Sequence, residues 1–113
     1  MADCIFCKIV NKEVGATVVL ENDDLVAFHD LNPQAPTHLL IVPKKHVEKL
    51  SDCGPQDTEL LGKIQLAAKA LAEQFELVNG FRLVVNNGKG AGQAVNHLHY
   101  HLIGGRRMNW PPG

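Results

Sequence analysis

Residues 97–103 read His-Leu-His-Tyr-His-Leu-Ile. Imidazoles alternate there with large apolar groups, and a period of two is the signature of an extended strand. In that conformation His97, His99 and His101 share one face, while Leu98, Tyr100 and Leu102 share the other. A helix would scatter the three imidazoles around its axis. The apolar face must be buried, so the chain has to supply a hydrophobic layer on one side of this strand. The histidine face is left to meet solvent, a ligand or a metal.

The covering layer is legible between residues 55 and 80. Pro55 suits a first helical position, and Asp57 and Glu59 place acids where the helix dipole favours them. Leu60, Ile64, Ala67, Leu71 and Phe75 recur at spacings of three and four and form one apolar face. Asn79-Gly80 is the expected stop. Upstream, Thr17–Leu20 and Leu25–His29 flank the polar turn Glu21-Asn22-Asp23-Asp24 and read as a hairpin. Asn32-Pro33-Gln34-Ala35-Pro36 is a loop, because two prolines in four residues exclude regular structure. A strand over His38–Val42 ends at Pro43, and Phe81–Val85 forms the next. Asn87–Gln93 is a flexible loop with three glycines, and the last strand covers Leu98–Ile103 up to Gly104-Gly105. Residues 4–12 form either a short helix or a compact metal knuckle. The expected architecture is α+β: about five antiparallel strands with one long and one short helix.

With 113 residues, of which 45% are hydrophobic and 20% charged, residues 1–113 form a single globular domain. A net charge of −1 leaves no basic field for a nucleic acid polymer. No run approaches the roughly 18 apolar residues of a membrane span, and Met1-Ala2-Asp3-Cys4 lacks the features of a signal peptide. Three cysteines do not make a disulfide framework, so the expected compartment is reducing and cytoplasmic.

The histidine row admits three readings. An incidental polar face poorly explains three histidines in five residues. A single zinc held by all three conflicts with distance, since His97 and His101 lie roughly 13 Å apart along a strand and zinc–nitrogen bonds are about 2 Å. Covalent catalysis remains: a neutral imidazole is a good nucleophile toward phosphorus, and His99 is the central ring. Gly88-Lys89-Gly90-Ala91-Gly92 is not a Walker loop, but beside the row it either offers backbone N–H groups to a phosphate or merely connects two strands. Cys4-x-x-Cys7 has metal-ligand spacing, with a buried hydrophobic pair or a redox pair as alternatives. Cys53 reads as an ordinary small residue at a helix entrance. Trp110 in the tail is a large apolar anchor, for a partner subunit or for its own core.

At these residues the chain resembles the histidine-triad family, whose signature is His-x-His-x-His followed by two apolar residues. Cys4-Ile5-Phe6-Cys7-Lys8-Ile9, Ala27-Phe28-His29-Asp30, Pro33-Gln34-Ala35-Pro36-Thr37-His38, Pro43-Lys44-Lys45-His46 and Gly104-Gly105-Arg106 extend the match over essentially the whole chain. The ending Trp110-Pro111-Pro112-Gly113 resembles its Hint branch. The resemblance implies a homodimer that hydrolyses purine nucleoside phosphoramidates such as adenosine 5′-monophosphoramidate, with dinucleoside polyphosphate hydrolysis or nucleotide binding with weak catalysis as rivals. It implies that His99 forms a nucleotidyl-histidine intermediate, that His101 contacts the phosphate and assists proton transfer, and that His38 belongs to the same relay. By the same resemblance Asp30 holds the ribose. Phe6, Ile9, Phe28, His29 and Leu31 line the base pocket, and Asn86, Gly92, Gln93, Ala94 and Val95 surround the phosphate. No cofactor is implied for the chemistry. A structural zinc on Cys4, Cys7, His46 and His97 is implied, and it would also fix His97 beside the catalytic row. Ala94 departs from a serine common in this branch, and Asn109 from a histidine near its end.

Overall fold

A computed structural model describes residues 3–113. Helix α1 (Ile5–Val10) precedes strands β1 (Val18–Glu21), β2 (Leu25–His29) and β3 (Thr37–Pro43). Helix α2 (Thr58–Gln74), β4 (Phe81–Val85) and β5 (Tyr100–Gly104) follow. The five strands form one antiparallel sheet in the order β1-β2-β3-β5-β4. The α+β class and the antiparallel sheet agree with the sequence. No helix among the described residues is long and apolar enough to cross a membrane.

Alternation sorts the side chains onto two faces. Leu25 and Ala27 of β2, Leu39 and Ile41 of β3, and Leu98, Tyr100 and Leu102 meet Ile64, Ala68 and Leu71 of α2 in the main core. The opposite face carries a smaller cluster in which Phe6 of α1 packs on Val26, Phe28, Leu40 and Val42. The histidines belong to this second face. The sheet therefore has a thick, closed side and a thin side covered by a six-residue helix and Val95.

Several boundaries differ from the sequence reading: β1 starts one residue after Thr17, and α2 starts at Thr58, after a separate 3-10 turn at Pro55–Asp57. The last strand begins at Tyr100, not Leu98, so His97, at a bend, and His99 lie in the approach to β5 and not within it. The neighbouring strands run out there: Tyr100 pairs with Ile41 and Val85, and Pro43, near the end of β3, has no N–H to give a ladder. The three imidazoles still share one side, where Phe6 meets both His97 and His99, and His99 meets His101. Pro43 itself is the last residue of β3, paired with Leu25 of β2 but beyond the end of the β5 pairing at Ile41. Helix α2 ends at Gln74, before Asn79-Gly80. Its left-handed terminating residue is Glu76 (φ 57°), and Leu77 N–H returns to the Ala72 carbonyl at 2.9 Å. The Leu77 side chain then fills the space above Gly104, where an added Cβ would come within 2.7 Å of it. Ala68 and Ala72 replace Ala67 at the buried centre of the helix face.

Candidate functional site

Segment 97–101 threads three imidazoles along the thin face, and each has a different set of partners. His97 is fully buried. Its Nε2 lies 2.8 Å from the Pro43 carbonyl, which can only accept, so Nε2 carries the proton and Nδ1 keeps a lone pair. That lone pair faces Cys4 Sγ at 3.4 Å, Cys7 Sγ at 3.5 Å and His46 Nδ1 at 3.1 Å. Cys7 Sγ is 3.1 Å from His46 Nδ1. The four donor atoms lie within 4.8 Å of one another. Two thiols and two imidazoles converging in this way suit a tetrahedral zinc, and the Pro43 carbonyl acts as the outer partner that fixes the tautomer of a ligating histidine. The expected segment 4–12 thus holds a helix, Ile5–Val10, with Cys4 as N-cap accepting from Cys7 N–H, and its two thiols supply half of a donor set that could hold a metal.

His99 turns the other way. Its Nδ1 donates to the His97 carbonyl at 2.7 Å, leaving Nε2 unprotonated in the neutral ring. Burial holds its pKa below the usual imidazole value, partly offset by the His97 carbonyl and Asp30. The ring of Phe6 meets it edge-on at 5.0 Å and also meets Phe28 at 5.6 Å. Each such contact contributes about 0.5–1.5 kcal/mol beyond area burial. A neutral, desolvated imidazole with one free nitrogen is a nucleophile.

His101 belongs to a third arrangement. Gln34 N–H donates to His38 Nδ1 at 3.0 Å, so the His38 proton sits on Nε2. That nitrogen donates to His101 Nδ1 at 2.9 Å and lies 3.4 Å from Asp30 Oδ2. His101 must then carry its proton on Nε2. Burial, followed by the neighbouring charges of His99 and His38, pushes its pKa down to about 4. Asp30, His38 and His101 also cluster closely enough to hold a metal. The tautomer argues against an ion there, because His38 Nε2 has a proton where a ligand needs a lone pair.

Beside these rings opens a cavity of about 320 Å³, within the range of small-ligand pockets. Phe6, Ile9, Phe28, His29, Asp30, Leu31, Ala94, Val95, His99 and His101 line it. The His29 ring stacks edge-on against Phe75 at 5.8 Å, and Leu31 stands 99% exposed at the lip. His38 and His97 lie behind His101 and His99. Asn86 and Gly92 do not line the cavity, and neither does Gln93, whose side chain is bonded to three backbone groups. Ile5, Gly15, Ala16 and Leu40 complete the wall and were not singled out from sequence. Leu40 had a signal, lying two residues from His38 on the same strand face, and Ile5 is one turn from Ile9. Gly15-Ala16 had none.

A larger concavity of about 610 Å³ lies among residues 76–82 and 105–108. Arg82 and Arg106 there donate to the carbonyls of Asn109 and Gln34, and no histidine reaches it. Cys53 packs at the edge of the main core, as expected of a small residue. Trp110 stands 83% exposed, so it does not anchor to its own core.

The model of the HIT domain family matches residues 11–108. A HIT family hydrolase of Legionella pneumophila has a solved structure that superposes with a TM-score of 0.96 at 53% identity, covering 98% of this chain and 100% of that one. A 14 kDa zinc-binding protein of Zea mays is 48% identical over 111 residues, 96% of this chain and 87% of its own. The adenylylsulfatase HINT1 of Arabidopsis thaliana is 47% identical over 111 residues, 96% of this chain and 76% of its own.

Proposed function

This chain belongs to the HIT domain family, and from that premise we propose that it hydrolyses purine nucleoside 5′-phosphoramidates through a nucleotidyl-histidine intermediate on His99. The observation that carries the reading is the tautomer of His99: Nδ1–H is committed to the His97 carbonyl, and Nε2 is left with its lone pair beside the cavity. In the proposed reaction the purine lies among Phe6, Ile9, Phe28 and Leu31, with His29 at the rim. The Asp30 carboxylate, held by Asn32 N–H at 2.7 Å, accepts from the ribose hydroxyls. His99 Nε2 attacks the α-phosphorus, and the P–N bond breaks. The leaving nitrogen takes up a solvent proton and departs as a neutral amine, a proton returned when water later cleaves the intermediate. The ring becomes cationic, and the His97 carbonyl stabilises that charge through the Nδ1–H bond. His101 Nε2–H donates to a phosphate oxygen, and His38 behind it supports proton transfer. Water then attacks the same phosphorus, releases the nucleoside monophosphate and restores neutral His99.

The zinc implied by the Cys4, Cys7, His46 and His97 cluster would be structural, and the zinc-binding name of the maize relative supports this. It supplies no step of the chemistry and would tether α1 to the catalytic segment. A homodimer is part of the same proposal, supported by β4 at the sheet edge with exposed Phe81, by exposed Val78 and by the free Trp110. The proposed location is the cytoplasm.

The Arabidopsis relative's name favours a second leaving group, sulfate in place of an amine. Attack by His99 on the α-phosphorus would be the same, so competition between adenosine 5′-monophosphoramidate and adenylyl sulfate ranks the two. The direct test of the proposal is turnover of the phosphoramidate by the purified chain. His99→Ala should lower kcat by about 10⁴-fold or more with the circular dichroism spectrum unchanged. Equal rates in both proteins would refute it.

A further inference from the structure

Gln93 is buried, and its amide is spent on the protein. The side-chain nitrogen donates to the Glu48 carbonyl at 2.6 Å and to the Val95 carbonyl at 3.0 Å. The side-chain oxygen accepts from Gly88 N–H at 2.8 Å, and the Gln93 N–H returns to the Gly88 carbonyl at 3.2 Å. The orientation of the amide is unambiguous, because two partners only accept and the third only donates. A glutamine has two N–H donors, and both are used. What remains is one acceptor lone pair, and a phosphate offers acceptors too. The side chain therefore has nothing to give a phosphate without breaking a bond it already makes.

The three partners lie on separate stretches of chain. Gly88 opens the glycine loop in a left-handed conformation (φ 90°) that suits glycine. Glu48 follows His46 and Val47, and the Val47 carbonyl accepts Leu98 N–H at 2.6 Å inside the histidine row. Val95 lines the same cavity as His99 and His101. Among the described residues, no backbone acceptor takes the N–H of Val95.

We propose that Gln93 is a positioning residue: it clasps the glycine loop to segments 46–48 and 93–96 and so aims the Val95 N–H at the reacting phosphate, without touching the nucleotide itself. The part played by the phosphate rests on the function proposed above, but the clasp does not. Its energetic role is preorganisation, since a donor already held in place costs no ordering as charge develops on phosphorus.

The test uses the full-length zinc-loaded chain with Gln93→Leu and Gln93→Glu. Amide hydrogen exchange is followed without nucleotide, and kcat and KM are measured with adenosine 5′-monophosphoramidate. In Gln93→Leu the Gly88 amide should exchange at least about tenfold faster, while the amides of α2 keep their protection. Its kcat should fall on the order of 10- to 100-fold with KM changed less than about threefold. Gln93→Glu keeps the acceptor for Gly88 but opposes a carboxylate to two carbonyls. Gly88 should therefore stay protected, and kcat relative to the parent should recover from about pH 8 to about pH 5, as a protonated acid regains one donor. Unchanged Gly88 exchange in Gln93→Leu, or a rise in KM alone with no recovery at low pH, would overturn the proposal in favour of direct nucleotide contact. If Gln93→Leu fails to fold, the pH response of Gln93→Glu decides. If the parent chain shows no turnover, the function proposed above fails, while the exchange measurement still decides the clasp.

Discussion

The two ends of the histidine row hold clusters that look alike on paper and differ in one proton. Around His97, two thiols and two ring nitrogens point at a common centre. Around His101, two rings and a carboxylate are equally close, but their protons run head to tail from Gln34 N–H through His38 to His101. The difference is set by backbone groups. A carbonyl, that of Pro43, takes the Nε2 proton of His97 and frees its inner nitrogen for a metal. An N–H, that of Gln34, occupies the outer nitrogen of His38 and forces a proton onto the inner one. Identical side chains are thus suited to the proposed roles of ligand or relay according to which backbone group lies behind them. His99 sits between the two regimes and is proposed to use its free nitrogen on phosphorus.

Substitutions should separate the two clusters. The largest of these effects belongs to the relay: His101→Ala should cost about 10²- to 10⁴-fold in kcat and leave zinc content unchanged by elemental analysis. Loss of zinc in that variant would merge the two clusters and break the distinction. On the other side, Cys7→Ser should abolish stoichiometric zinc and lower the unfolding midpoint, while kcat falls by no more than about tenfold, since the ion orients and does not react. A collapse of kcat in a still-folded Cys7→Ser protein would show that the metal end takes part in the chemistry.

The smallest effect is the response to pH. The pKa values of His99 and His101 both lie below the ordinary imidazole value, that of His101 at about 4. The unfolded chain therefore takes up protons first as pH falls. The stability these rings contribute is fully present above about pH 6.5 and is lost progressively toward pH 4. The acid limb of kcat/KM should likewise fall below pH 6.5. A limb centred at pH 6.5 would mean that His99 is better solvated than its burial indicates.

Much of this was legible in the sequence because period-two alternation is a local property. His97, His99 and His101 fall on one side although only His101 lies in β5 and His97 sits at a bend, and the shared contacts with Phe6 and between neighbouring rings mark that side. Cys4-x-x-Cys7 spacing likewise survives in a helix whose N-cap is Cys4. What was not legible depends on distant partners. Nothing near Gln93 in sequence announces the Glu48 carbonyl 45 residues away. The roles of His38 and His97 hang on which backbone atom meets each ring, and residue type carries no trace of that. The end of α2 was misplaced because Asn79-Gly80 offers the stronger local signal, while packing of Leu77 over Gly104 draws Glu76 into the left-handed turn.

The most direct test is the intact mass of the protein, quenched in acid-free denaturant within seconds of mixing with an adenosine phosphoramidate. The account predicts a transient increment equal to one adenylyl group, absent from His99→Ala and retained in Cys7→Ser. Turnover without any such adduct, or an adduct that persists in His99→Ala, would contradict it.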